Sequence, residues 1–212
     1  MKNNLFPIAK DGWKYLAYAV VGCIIFSLLD LELFQFLSII VILFFLFIFR
    51  NPERELPSFE ENQVLSPVDG EVLSIDSLDA SDTYAYKIVI NTTYKDVGIL
   101  RAPMNASIES LKKNHGTRLS LDNPLAYKIN ENVSIVFQDT KNNTIKLIHI
   151  LKQSLCGVHV DLETENKVVQ SARYGLMING ITEIYLPKNF RISLVLGEEI
   201  IASKSLIGYF SQ

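Results

Sequence analysis

Apolar and polar residues follow two patterns that meet near Arg50. From Trp13 to Phe49 almost every position is apolar. After Pro57, short apolar runs alternate with polar turns. The first region is broken once, by Asp30, Leu31 and Glu32, into Trp13–Leu29 and Leu33–Phe49, 17 residues each. Halves of that length fall at the short end of the roughly 17–25 residues a membrane-crossing helix uses. A carboxylate in the middle of a bilayer costs a few kcal/mol, so Asp30 and Glu32 belong at an interface. The pattern predicts an N-terminal transmembrane helical hairpin over residues 1–50, with a re-entrant or monotopic hairpin as the alternative because both halves are short. Lys10, Lys14, Arg50 and Arg54 flank it, and basic flanks favour the cytoplasmic side, with the acidic turn outside. Trp13, Tyr15 and Tyr18 suit an interfacial aromatic belt. A cleaved signal peptide fits poorly, because no small-residue cleavage site follows the first apolar run.

Asn51–Gln63 reads as a charged linker carrying Pro52 and Pro57. Residues 64–212 then form a β-rich domain. Strands are expected over Val64–Leu65, Glu71–Ile75, Tyr86–Ile90, Val97–Leu100, Val133–Phe137, Ile145–Leu151, Gly157–Leu162, Glu183–Leu186, Arg191–Leu196 and Leu206–Phe210. Asp-Gly, Asn-Asn and Asn-Gly dipeptides mark the turns between them. Ala106–Lys113 is the best short helical candidate. The expected fold is therefore a membrane hairpin followed by a mainly β domain, sandwich or barrel-sandwich-like. Leu65–Ile75 (LSPVDGEVLSI) and Leu194–Ile207 (LVLGEEIIASKSLI) are distantly alike, each with a tight turn between short strands.

Composition narrows the function classes. A net charge of −3 with scattered basic residues gives no footprint for nucleic acid. The two cysteines, Cys23 and Cys156, lie in different regions and form no disulfide framework. No CxxC or HxxxH spacing offers a zinc site, so no metal is expected. The flanking arginines Arg50 and Arg54 are candidates for lipid phosphates.

Three groups of residues carry a resemblance. The first is IAKDGW (Ile8–Trp13). The second is FRNPERELP (Phe49–Pro57), followed by SPVDG (Ser66–Gly70). The third is DVGILRAP (Asp96–Pro103), with RYGL (Arg173–Leu176) and IYLP (Ile184–Pro187) further on. Their order and spacing resemble the short, membrane-anchored, archaeal-type form of phosphatidylserine decarboxylase. The resemblance implies a chain that cleaves itself at a Gly-Ser bond. The serine becomes a pyruvoyl group, which serves as the electron sink for decarboxylation. It also implies an aspartate, a histidine and that serine acting together.

Of these roles, the aspartate maps onto Asp69. The histidine position holds Gly98, and the serine position holds Gly180 or Ile181, with no serine in MINGITEIYLP (Met177–Pro187). Glycine and isoleucine have no hydroxyl to attack a carbonyl. Thr182 is the nearest alternative nucleophile and would leave a 2-oxobutanoyl cap. His115, His149 and His159 are the three histidines available, and none follows Asp-Val.

Two functions are consistent with these residues. One is a non-catalytic homologue in phospholipid metabolism, which needs no cofactor. It would sit at a phospholipid bilayer and bind lipid, or pair with an active decarboxylase or another membrane enzyme. The other is an active decarboxylase making phosphatidylethanolamine through a pyruvoyl-type group formed at an atypical residue. Both place the β domain on the cytoplasmic side of a membrane.

Overall fold

The computed structural model describes residues 6–54, 60, 62–78, 83–120 and 122–211. Two compact units emerge, one of residues 4–53 and one built on residues 54–212. Within the linker expected over Asn51–Gln63, residues 55–59 and 61 lie outside the described residues.

The first unit is an antiparallel pair of helices, α1 (Gly12–Leu28) and α2 (Glu32–Ile48). The turn between them is a Schellman motif. Leu31 N–H donates to the Phe26 carbonyl, Asp30 N–H donates to that of Ser27, and Asp30 adopts a left-handed φ of 54°. Glu32 then opens α2, where its charge complements the helix dipole. At the other end the chain closes on itself. Ile8 and Arg50 form an antiparallel bridge, Ala9 N–H donates to Phe49 O, and Asn51 N–H donates to Pro7 O. Tyr15 stacks on Phe49 with ring centroids 5.3 Å apart. The Arg50 guanidinium donates to the Phe47 carbonyl at 2.8 Å and lies over the Phe47 ring.

The hairpin exists, but the expectation that it spans a membrane is corrected. Among the described residues no helix is long and apolar enough to cross a membrane. Both helices have 17 residues. At 1.5 Å per residue each is about 25 Å long, against a hydrocarbon core of about 30 Å. The acidic residues Asp30 and Glu32 sit at the turn between the two helices. The sidedness inferred from flanking charge loses its basis with the crossing.

The second unit is mainly β. Its strands are β1 (Gln63–Leu65), β2 (Gly70–Ser77), β3 (Tyr86–Thr92), β4 (Ile99–Arg101), β5 (Ala106–Asn114), β6 (Asn132–Gln138), β7 (Thr144–Leu151), β8 (His159–Val160), β9 (Lys167–Val168), β10 (Arg173–Leu176), β11 (Gly180–Leu186), β12 (Phe190–Ile192), β13 (Glu199–Ile200) and β14 (Leu206–Phe210). One short helix, α3 (Ala126–Ile129), interrupts them. They form an eight-stranded sheet of order β13-β2-β3-β11-β7-β6-β5-β9 and two three-stranded sheets, β1-β14-β12 and β4-β10-β8.

Period-two alternation explains the large sheet. Ile88 and Ile90 on β3, Ile135 and Phe137 on β6, Ile145 and Leu147 on β7, and Ile184 and Leu186 on β11 all point into one buried cluster. Tyr174, Leu100 and Val160 of the β4-β10-β8 sheet join the same cluster. The segment expected to be helical, Ala106–Lys113, is strand β5. A bulge between Ile108 and Ser110 shifts the register. The extra residue lets Ile108 and Leu111, three apart, both turn toward the core, which imitates helical spacing.

The two similar segments noticed in the sequence meet in space. β1 pairs with β14 and β2 with β13, with Gly70 opposite Ile200. The Asp-Gly dipeptide at Asp69–Gly70 is therefore no hairpin turn. It joins a strand of one sheet to a strand of another.

Candidate functional site

The segment Ser66–Gly70 is held rigidly before its carboxylate does anything. Ser66 N–H donates to Ser205 O, Ser203 N–H donates to Ser66 O, and Ser66 Oγ donates to Val68 O at 2.6 Å. The Asp69 carbonyl accepts from Thr92 Oγ1 at 2.7 Å. The Asp69 carboxylate is then engaged on both oxygens. Arg54 Nη1 donates to Oδ1 at 2.7 Å, Arg54 Nη2 donates to Oδ2 at 2.6 Å, and Ala202 N–H donates to Oδ1 at 2.8 Å. Arg54 Nη1 also donates to Ala202 O. The two side chains are 8% and 12% exposed, so this is a bidentate pair largely shut off from water. Arg54, considered above as a headgroup contact, is directed into the domain. Arg50 stays at the end of α2 on the Phe47 carbonyl.

The other two positions named by the resemblance also converge. Gly98 O accepts from Met177 N–H at 2.7 Å. A Cβ at Gly98 would lie 2.9 Å from Met177 O and 3.1 Å from Ile178 Cα, so backbone occupies the place of any side chain there. A Cβ at Gly180 would lie 2.5 Å from Met177 Sδ and 2.6 Å from Ile150 O. Met177 is fully buried. Gly180 is the register partner of Thr92, whose hydroxyl holds the Asp69 carbonyl. The fold thus brings Asp69, Gly98 and Gly180 into one neighbourhood, with Met177 filling the space between the two glycines.

The junction itself is regular sheet. Gly180 pairs with Thr92 and Leu151, Ile181 with Asn91 and Ile150, and Thr182 with Ile90 and His149. Ile181 is buried on the face of β11 opposite Thr182.

Thr182 belongs to a network with no counterpart in the motif reading. Its Oγ1 lies 2.9 Å from His149 Nδ1, and His149 Nε2 lies 2.7 Å from the Tyr174 hydroxyl. All three side chains are inside the core. Burial pushes the His149 pKa down to about 3 and drives that of Tyr174 upward, so both are neutral at ordinary pH. The signal for His149 was its phase, since it follows Ile145 and Leu147 at two-residue spacing and points the same way. His159 lies on the surface, 2.7 Å from Asp161, and His115 is exposed. Among the described residues no cluster of three His, Cys, Asp or Glu could hold a metal ion.

The other motifs also pack together. Arg101 of DVGILRAP is buried in β4, opposite Arg173 of RYGL on β10. Both strands belong to the β4-β10-β8 sheet.

The chain belongs to the phosphatidylserine decarboxylase family: the family's model matches residues 41–208. Curated relatives span the chain almost end to end. The phosphatidylserine decarboxylase proenzyme of Desulfotalea psychrophila is 25% identical over 206 residues, covering 95% of this chain and 96% of its own length. Those of Geotalea uraniireducens and Geobacter sp. (strain M21) are 26% and 28% identical, each covering 98% of this chain and 99% of their own length.

Proposed function

We propose that this chain is a non-processing member of the family, acting in phospholipid metabolism as a lipid-binding or regulatory homologue without a pyruvoyl group. The observation that carries this reading is Met177. Its backbone closes the space beside Gly98, and its sulfur fills the space beside Gly180. Asp69, which would have oriented a base, is instead saturated by Arg54 and Ala202. Self-cleavage needs a nucleophile, a base and an accessible carbonyl, and the Gly180–Ile181 junction offers no hydroxyl.

One observation favours the second reading, the hydrogen-bonded contact of Thr182 with His149, which pairs a nucleophile with a base. Against it stands the ladder. Thr182 sits in a strand paired on both sides, and its own carbonyl partner would have to leave that sheet. Mass spectrometry of the purified protein decides between the two. We expect one intact species of 24.0 kDa with no carbonyl-capped internal terminus. Two fragments meeting at Ile181–Thr182, one keto-blocked, would establish the second reading.

The helical unit supports a membrane-surface role that needs no crossing. Val21, Leu28, Leu33, Phe36 and Leu43 are among its many exposed apolar side chains. Each transfer of such a side chain from water into lipid is worth about 1.5–3 kcal/mol. We expect the protein to float with phospholipid vesicles. Replacing Leu28, Leu33 and Phe36 together with glutamate should reduce the bound fraction by at least roughly tenfold. Unchanged flotation of that variant would remove the helical unit as the membrane contact.

A further inference from the structure

The outer face of the eight-stranded sheet, opposite the core, carries a second feature that the Asp69 region does not use. Its register sets side chains in lines across the strands. One line runs Ser74, Val89, Glu183, Ile148 and Ser134; the next runs Asp76, Lys87, Tyr185 and Lys146. Glu183 therefore stands on a central strand with Val89 on one side and Ile148 on the other. Its side chain is only 8% exposed, although this face has a cavity of about 740 Å³ above it. The exposed ring of Tyr127 on α3 forms one wall.

A carboxylate set into an apolar floor is costly unless a cation meets it. Here Lys87 does, reaching diagonally across the register to place Nζ 2.5 Å from Oε1, while the Tyr185 hydroxyl donates to Oε2 at 2.9 Å. Burial lowers the Lys87 pKa, but the contacts with Glu183 outweigh it and the net shift is upward, so the ammonium stays charged. The lining holds two carboxylates, Asp76 and Glu183, against one lysine, and Lys146, outside the lining, has its Nζ 5.4 Å from the Tyr185 ring centroid. Asp76 is the register partner of Lys87. If another ammonium took Glu183, Lys87 has a carboxylate next to it to receive its own.

We propose that this concavity is a binding site for a primary alkylammonium group, the charged end on Glu183 and the apolar body along Val89, Ile148 and Ile150 toward Tyr127. Three features set that chemistry. The lining is net negative, the floor is apolar, and the Lys87 ammonium already shows how such a group meets Glu183 beside an aromatic ring, with the Tyr185 centroid 5.7 Å away. An anion would meet two carboxylates, and an uncharged chain would gain nothing from Glu183. This site is independent of whether the Asp69 region is catalytic.

The test is photolabelling of the full-length protein with octylamine carrying a terminal diazirine, with the matching octanoate as the anionic control. Cross-links should map to peptides containing Val89, Ile148, Ile150 or Tyr127 and be competed by plain octylamine. In Glu183→Gln they should fall roughly tenfold, the size of a lost charge-assisted hydrogen bond. Tyr127→Ala, which changes only an exposed wall residue, should also weaken labelling if the glutamine variant fails to fold. Equal labelling by octanoate, or groove labelling that neither substitution reduces, overturns the proposal. So does labelling confined to the helical unit.

Discussion

Asp69→Ala should lower the unfolding free energy of the β domain by about 3–5 kcal/mol, the usual cost of removing one partner from a buried ion pair. The substitution leaves the Arg54 guanidinium almost buried and uncompensated, and it strips the Ala202 N–H of its acceptor. It also cuts a link between the start and the end of the domain, since Asp69 and Ala202 are 133 residues apart in sequence. Urea unfolding followed by far-ultraviolet circular dichroism measures this. Replacing both partners with apolar residues, Arg54→Met with Asp69→Leu, should cost less than Asp69→Ala alone, because no charge is then left stranded. A loss below about 0.5 kcal/mol for Asp69→Ala would mean that Arg54 does not hold the carboxylate in solution.

The second large effect is acid sensitivity set by His149. In the folded chain burial holds its pKa at about 3, against 6.5 for the ordinary side chain. The folded pKa is depressed, so below pH 6.5 the unfolded chain binds a proton that the folded chain does not. The stability tied to the neutral ring is complete above about pH 6.5 and drains away as the pH falls toward 3. Linkage puts the loss at on the order of 4 kcal/mol by pH 3. Comparing urea midpoints of the wild type and His149→Gln between pH 7 and 4 isolates it. The wild type should lose stability steadily over that range, and the variant should show a shallower slope from a lower starting point. Parallel slopes would mean that His149 is protonated or exposed in the folded protein.

Much of the β architecture could be read from alternation, because strands such as Val133–Phe137 and Ile145–Leu151 bury one face and repeat every two residues. The apolar runs marked the helices within one residue, and their 17-residue length already stood at the short end of what a crossing helix uses. Bulged β5 misled for a physical reason, since an inserted residue turns a two-residue period into a three-residue one. The family was legible because its motifs are short and ordered. The fate of Asp69 was not, because its partners Arg54 and Ala202 are set by tertiary pairing that no local pattern encodes. Met177 carried no signal either: a methionine in an apolar run looks the same whether it lies between Gly98 and Gly180 or in any other part of a core. His149 had the phase of a buried residue, but its contacts with Thr182 and Tyr174 depend on strands from two sheets.

The closure of β1 on β14 and of β2 on β13 has a consequence for biosynthesis. β1 leaves the ribosome early but finds its strand partner only at residues 206–209, and β2, which pairs with β3 along one edge, has its other edge met only by residues 199–200. Until residues 199–209 clear the exit tunnel, β1 lacks its partner and one edge of β2 stays open. The nascent chain must therefore wait, unzipped at one seam, until that segment has been made.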